Sequence, residues 1–216
     1  VHDAVGADLQ LHIEMHGRFA PHQAIAIAHA IEPLHPAWIE EHWPALRDRV
    51  DACLGSLVPG AEEPPGRLHA AMRYSLLNPG KRIRPAVALM AARALGVDTE
   101  TALVPACSLE MVHAASLILD DLPSMDDAEL RRGRPACHRV YGEDVATLAS
   151  VSLLNRAFLA LVQATNLTAE VRVELADALG RCVGERGLVA GQLFDLSLTT
   201  EEDPRLKDVE MIAAQK

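Results

Sequence analysis

An acidic run, Asp120-Asp121-Leu122-Pro123-Ser124-Met125-Asp126-Asp127, closes the apolar stretch 111–119 (MVHAASLIL). Carboxylates ending a buried segment are costly without counter-charge, so their placement calls for cations. Asp120 and Asp126 stand six positions apart, and a bent turn between them would aim both at one point. Hard oxygen donors in such a pair suit Mg²⁺, which bridges one or two carboxylates to substrate phosphates. Arg131-Arg132-Gly133-Arg134 follows within a few residues, and a guanidinium fork matches phosphate oxygens two at a time. The pattern predicts an anion bound through a metal, with arginines on its remaining charge.

A second basic cluster, Gly80-Lys81-Arg82-Ile83-Arg84-Pro85, stands just ahead of a predicted helix. Free backbone N–H groups and the helix dipole favour anions there, and Gly80 permits close approach of the backbone. Together with the acidic run it predicts two phosphate-bearing ligands, one held through metal and one directly by Lys81 and Arg84. His113 lies seven residues before Asp120, on nearly the same helix face, and is a candidate ligand contact. Gly191-Gln192-Leu193-Phe194-Asp195-Leu196 sets an amide and a carboxylate amid apolar residues.

The elements that must position these groups are mostly helices. Helical patterns cover 44–57, 67–77, 86–95 (opened by Pro85 and closed by Gly96), 105–121, 144–163, 168–196 and 204–216, with loops at 59–66 and 78–80. The first forty residues differ. Residues 8–16 alternate polar and apolar and read as a strand, 20–34 as a helix, and 36–41 as a second strand. A β-α-β opening joined to an all-helical body predicts a boundary at about residue 42, between a 1–42 segment and a 43–216 helical domain.

Composition narrows the function classes. The 216 residues are 50% hydrophobic and 23% charged, enough for a buried core. Thirty acidic against twenty basic residues give a net charge of −10, which argues against nucleic acid as the main partner. No uninterrupted apolar run approaches the roughly 20 residues of a membrane span, so no integral membrane segment is expected. The start lacks a signal-peptide pattern, and the four cysteines are widely spaced with no CxxC pair. The expectation is a reduced, cytoplasmic protein.

GKRIRP, then HAASLILDDLPSMDDAELRRGRP, then GLVAGQLFDL, in that order, resemble the motifs of the trans-isoprenyl diphosphate synthases, and most closely bacterial geranylgeranyl diphosphate synthases of carotenoid pathways. The stretch 43–216 is similar to the first two thirds of such an enzyme. The resemblance implies a mainly all-α fold, a truncated isoprenoid-synthase helical bundle preceded here by the short β-α-β segment. It implies Mg²⁺ as cofactor, isopentenyl diphosphate and an allylic diphosphate as substrates, and a homodimer. It implies Asp120 and Asp126 as metal ligands, Asp121 as a supporting carboxylate, and Arg131 on the allylic diphosphate. Lys81, Arg84, His113 and Arg132 would hold isopentenyl diphosphate, Gln192 would approach the allylic diphosphate, and Asp195 would support its helix. In this family, bulk just before the first aspartates sets product length. Ala115 and Ser116 are small, which favours geranylgeranyl over farnesyl diphosphate; a farnesyl diphosphate synthase is the alternative.

Two departures qualify the resemblance. The family's second aspartate-rich motif, DDxxD, has no counterpart here, which predicts weak or absent turnover from this chain alone, or a non-catalytic prenyltransferase-like subunit. Residues 1–41, with Glu14, His16 and Glu40, look like a fragment of an enolase-superfamily sugar-acid dehydratase. In that family Glu14 and Glu40 would bind Mg²⁺ and His16 would lie near the chemistry. The expectation here is an appended piece without function, because the third ligand is missing.

Overall fold

The computed structural model describes residues 37–198, with side chains over 44–197. The strand expected at 8–16, the helix at 20–34, Glu14, His16, the Glu40 side chain and the helix at 204–216 lie outside the described residues.

Helix α1 runs Ala37–Leu57 with Pro44 inside it. The second strand expected at 36–41 is therefore corrected: residues 37–41 are helical, and the helix crosses residue 42. Ile39, Trp43, Leu46, Val50 and Leu54 recur three or four apart, and that helical period outweighs the short apolar run. Leu46, Val50, Leu54 and Val58 enter the core. Helix α2 (Gly66–Leu76) buries Ala71, Met72 and Leu76.

Helix α3 spans Ile83–Ala94. Pro85 sits within its first turn, where a missing N–H costs little. The helix stops at Gly96, whose φ of 77° is the left-handed conformation that favours glycine. The Val97 N–H then donates to the Ala92 carbonyl at 2.8 Å and the Gly96 N–H to Arg93 at 3.0 Å, satisfying two terminal carbonyls.

Helix α4, Thr99–Asp120, is the axis of the domain. It begins six residues before Pro105, because the Asp98 carboxylate caps the Glu100 N–H at 3.1 Å. It packs against α1, α2, α3 and two later helices. Ala106, Cys107, Met111, Ala114, Ala115 and Ile118 are all buried, as expected of a helix apolar around its circumference.

After the acidic run comes a small antiparallel hairpin, β1 (Leu130–Arg131) and β2 (Arg134–Pro135), which the hydrophobic pattern did not signal. A short helix α5 (Cys137–Tyr141) leads into α6 (Glu143–Gln163). Ala146, Ala149 and Ala157 of α6 are buried. These small residues let α6 lie close against α4, and the Ser150 hydroxyl donates to the Ala115 carbonyl at 2.8 Å. By length and composition α4 and α6 both match a membrane span. In this fold their apolar faces pack on each other and on the surrounding helices.

The single helix expected over 168–196 is two. Helix α7 is Ala169–Val183, capped by the Thr168 hydroxyl, and α8 is Leu188–Leu198. A Cβ at Gly187 would overlap the Cys182 carbonyl, so the chain turns between them on glycine. All four cysteines are free thiols.

Candidate functional site

Two helix ends carry the charge, and each carries the sign its dipole disfavours. The partial negative charge at a helix C-terminus repels carboxylates, and the positive N-terminus repels cations. Helix α4 ends in Asp120 with Asp121 as its C-cap and no basic residue in the last turn. Helix α3 begins among Lys81, Arg82 and Arg84 with no acidic residue in its first turn and no side-chain cap. Neither cluster stabilises its own helix, so each needs compensation from elsewhere.

At the acidic end the chain folds back on itself. The Asp126 N–H donates to the Asp120 carbonyl at 2.9 Å, Asp127 to Leu122 at 3.1 Å, and Ala128 to Asp121 at 3.2 Å. This is the bent turn that the six-residue spacing predicts, and it brings the Asp120 and Asp126 backbones together. Asp120 is half-buried and Asp126 exposed. Asp121 is buried and held by Arg131, whose Nε donates at 2.9 and 3.2 Å to the two carboxylate oxygens while Nη2 reaches Oδ1. These bonds with Asp121 raise the Arg131 pKa further above its ordinary value. They use Nε and Nη2, which leaves Nη1 outside the fork. Asp127 pairs with Arg139 at 2.8 Å. Among the described residues no three His, Cys, Asp or Glu side chains form a metal cage.

At the basic end the arginines divide. Lys81 and Arg84 are exposed. Arg82 is buried in the left-handed region (φ 49°, ψ 38°), with its side chain only 2% exposed. Its guanidinium donates to Asp51 of α1 at 2.7 Å, Glu110 of α4 at 2.8 Å and the Asn78 carbonyl at 3.2 Å. The same carbonyl accepts from Arg132 Nη1 at 3.3 Å. Asn78 therefore ties the basic loop to the hairpin. Arg82, Asp127 and Arg132 are the non-glycine residues with positive φ among those described. Unusual backbone of this kind clusters at functional sites.

A narrow cleft of about 30 Å³ lies between the end of α4 and the hairpin, lined among others by Asn78, Glu110, His113, Asp121, Arg131 and Arg132; Lys81, Arg84, Asp120 and Asp126 lie outside its lining. Burial first, then the charges of Arg84, Arg132, Arg131 and Arg82, push the His113 pKa from 6.5 down to about 3. His113 is thus a neutral imidazole in a strongly cationic surround. Tyr74 fixes the hairpin: its hydroxyl donates to the Pro135 carbonyl at 2.8 Å, and Arg134 lies 4.2 Å above its ring. From α8, Gln192 Nε2 lies 3.6 Å from Met125 Sδ, which sets that helix against the acidic turn. Asp195 is half-buried on α8.

Most of the sequence-derived residues therefore converge. His113, Asp121, Arg131 and Arg132 share the cleft, Gln192 abuts the acidic turn, and Arg84 is near enough to act on His113. Ala115 is buried and Ser116 half-buried; neither lines the cleft or a second, apolar cavity. That cavity, about 400 Å³, lies between α3, α4, α6 and α7 and includes Pro105 and Leu109 on the α4 face that carries Ser116. Sequence reasoning missed Asn78, Arg82 and Glu110. Glu110 alone left a signal, as the one charge within 102–119.

The family model described as polyprenyl synthetase matches residues 65–216. A geranylgeranyl diphosphate synthase of Pantoea ananas is 54% identical over 130 residues, 59% of this chain and 43% of that protein. A chloroplastic geranylgeranyl pyrophosphate synthase of Capsicum annuum is 46% identical over 153 residues, 70% of this chain and 42% of that one. The crystal structure of an FPP/GFPP synthase from Zymomonas mobilis superposes with a TM-score of 0.75 at 34% identity, covering 81% of this chain and 63% of that one. The chain spans less than half the length of these curated relatives.

Proposed function

The chain belongs to the polyprenyl synthetase family, and from that premise we propose that it is the prenyltransferase part of a geranylgeranyl diphosphate synthase. The observation that carries the reading is the pair of wrongly signed helix ends, linked by the Asn78 carbonyl that accepts from Arg82 and Arg132, beside a cleft lined by Asn78, Asp121, Arg131 and Arg132. The acidic turn of α4 calls for a cation, and the basic loop before α3 calls for an anion.

In this reading Asp120 and Asp126 would hold Mg²⁺, a hard cation suited to carboxylate and phosphate oxygens, and the bound ion would supply charge neutralisation for the leaving pyrophosphate of an allylic diphosphate. Asp121 orients Arg131, whose Nη1 would meet the same diphosphate, and Gln192 would approach from α8. Lys81, Arg84 and Arg132 hold isopentenyl diphosphate, with His113 contributing a neutral imidazole. The allylic C–O bond breaks with its electron pair leaving on pyrophosphate. The isopentenyl double bond then forms the new C–C bond, and a proton is lost. The apolar wall of Ala114, Leu117 and Ile118 keeps water from the cation.

Geranylgeranyl is favoured over farnesyl by the apolar cavity further along α4, on the face that carries the small Ser116, while Ala115 is buried against α6 and lines neither space. Leu109 lies eleven residues before Asp120, about 16 Å along the helix axis at 1.5 Å per residue. Assembly into a dimer is part of the same reading. A relative from Arabidopsis thaliana, 47% identical over 151 residues, is named as the large subunit of a heterodimeric synthase.

Calorimetric titration of farnesyl diphosphate with and without Mg²⁺ tests the metal site. The D120N/D126N variant is expected to lose about a hundredfold in Mg²⁺-dependent affinity, the weight of two charge-assisted ligands. Equal affinity in that variant refutes the site. Incubation with labelled isopentenyl diphosphate then separates geranylgeranyl from farnesyl product by chain length.

A further inference from the structure

We infer that Arg82 is a positioning residue for the anion site formed by Lys81, Arg84 and Arg132, acting through a buried knot with Asp51, Glu110 and Asn78. This rests on the anion-site reading above and goes beyond it, because Arg82 itself does not face the ligand.

In the hexamer Gly80-Lys81-Arg82-Ile83-Arg84-Pro85 three cations look equivalent. The fold makes them unequal. The left-handed backbone at Arg82 accompanies a buried side chain between two exposed ones. Its guanidinium reaches three elements at once: Asp51 on α1, Glu110 on α4, and the Asn78 carbonyl ahead of the loop. Asn78 in turn accepts from Arg132 of the hairpin. The cations of the basic loop and the hairpin cation therefore have their relative positions set through one buried group. The left-handed region is disfavoured for a non-glycine residue, and the two ion pairs and the carbonyl bond hold Arg82 there.

Only a planar fork does this. Three acceptors lie around Nε, Nη1 and Nη2, and a lysine ammonium on a flexible stem cannot serve them in one plane. The charge of Arg82 is itself offset by Asp51 and Glu110, so its removal changes the geometry of the site more than its net attraction for anions.

The test is calorimetric titration of inorganic pyrophosphate, without Mg²⁺, into the whole chain and its variants, with thermal melting as the folding control. R82K, which retains charge, is expected to bind about tenfold more weakly while Mg²⁺-dependent binding of farnesyl diphosphate stays within about twofold; tenfold corresponds to one well-placed charged hydrogen bond. D51N weakens the solvent-side arm of the knot and is expected to lose about threefold. A folded R82K with wild-type pyrophosphate affinity overturns the inference. If R82K does not fold, D51N and E110Q decide it, and wild-type affinity in both overturns it. The underlying reading fails separately. Wild-type protein that binds no pyrophosphate, or a K81A/R84A variant that binds as well as wild type, sinks the anion site and this inference with it. Weak binding by K81A/R84A together with normal binding by R82K removes Arg82 alone.

Discussion

The acidic turn after α4 and the basic loop before α3 solve opposite electrostatic problems with the same device. At each, one charged side chain turns inward and is neutralised by the protein, while its neighbours stay outward. In the turn the inward residue is Asp121, clamped by Arg131; in the loop it is Arg82, clamped by Asp51 and Glu110. The outward residues are Asp126 on one side and Lys81 and Arg84 on the other. The difference lies in depth. Asp121 is paired to an arginine still 36% exposed, whereas Arg82 and Glu110 are 2% and 3% exposed. Opening the acidic clamp strands one buried charge, Asp121; opening the basic clamp strands two, Arg82 and Glu110.

The sharpest way to break this comparison is to strike each class of residue at the basic end. E110A removes a buried partner of Arg82 and is expected to destabilise the fold by about 3 kcal/mol, the cost of leaving a buried charge underpaired. R84A removes an exposed cation and is expected to change stability by less than about 0.5 kcal/mol while weakening pyrophosphate binding. Chemical denaturation read beside titration separates the two. Equal stability losses in both variants would mean that inward and outward charges are not functionally divided.

This division was not legible in the sequence, and the reason is physical. A backbone turned left-handed at one residue reverses which side chain faces in, and nothing in the order of residues 80–85 marks Arg82 for that. The acidic turn was legible because its spacing itself encodes the geometry: six residues closed by the Asp126-to-Asp120 bond. Long helices were legible from their period. Their ends and breaks were less so. The run at 36–41 is too short to separate a period of 2 from one of 3.6. The start of α4 at Thr99 rests on the Asp98 cap rather than on Pro105. The break between α7 and α8 depends on one glycine pressed against a carbonyl, inside a pattern that otherwise continues helically.

A smaller effect sharpens the electrostatic side. His113 has its pKa lowered to about 3 by burial and by four arginines, so the native state favours the neutral ring while the unfolded chain takes up a proton near 6.5. Its contribution to stability is complete above pH 6.5 and is lost as pH falls from there toward 3. For a group that remains partly solvated the loss by about pH 5 is of order 1 kcal/mol. Melting curves across that window should fall less steeply in H113N than in wild type. Parallel curves would mean that neither burial nor the cationic surround shifts the imidazole.

The smallest expected effect probes the contact between the two charged regions. Gly80 lies beneath the Arg132 guanidinium, and a Cβ there would overlap it. The obstacle is the far end of a flexible, exposed side chain rather than backbone, so G80A should fold with stability within about 0.5 kcal/mol of wild type. The guanidinium must shift, however, and with it goes the 3.3 Å bond to the Asn78 carbonyl. Pyrophosphate affinity is then expected to fall about threefold, less than one full charged hydrogen bond. A larger loss of stability would mean that the loop backbone itself needs glycine. Unchanged affinity in a stable G80A would mean that Arg132 finds the anion from more than one position, and that the hairpin and the basic loop act on it independently.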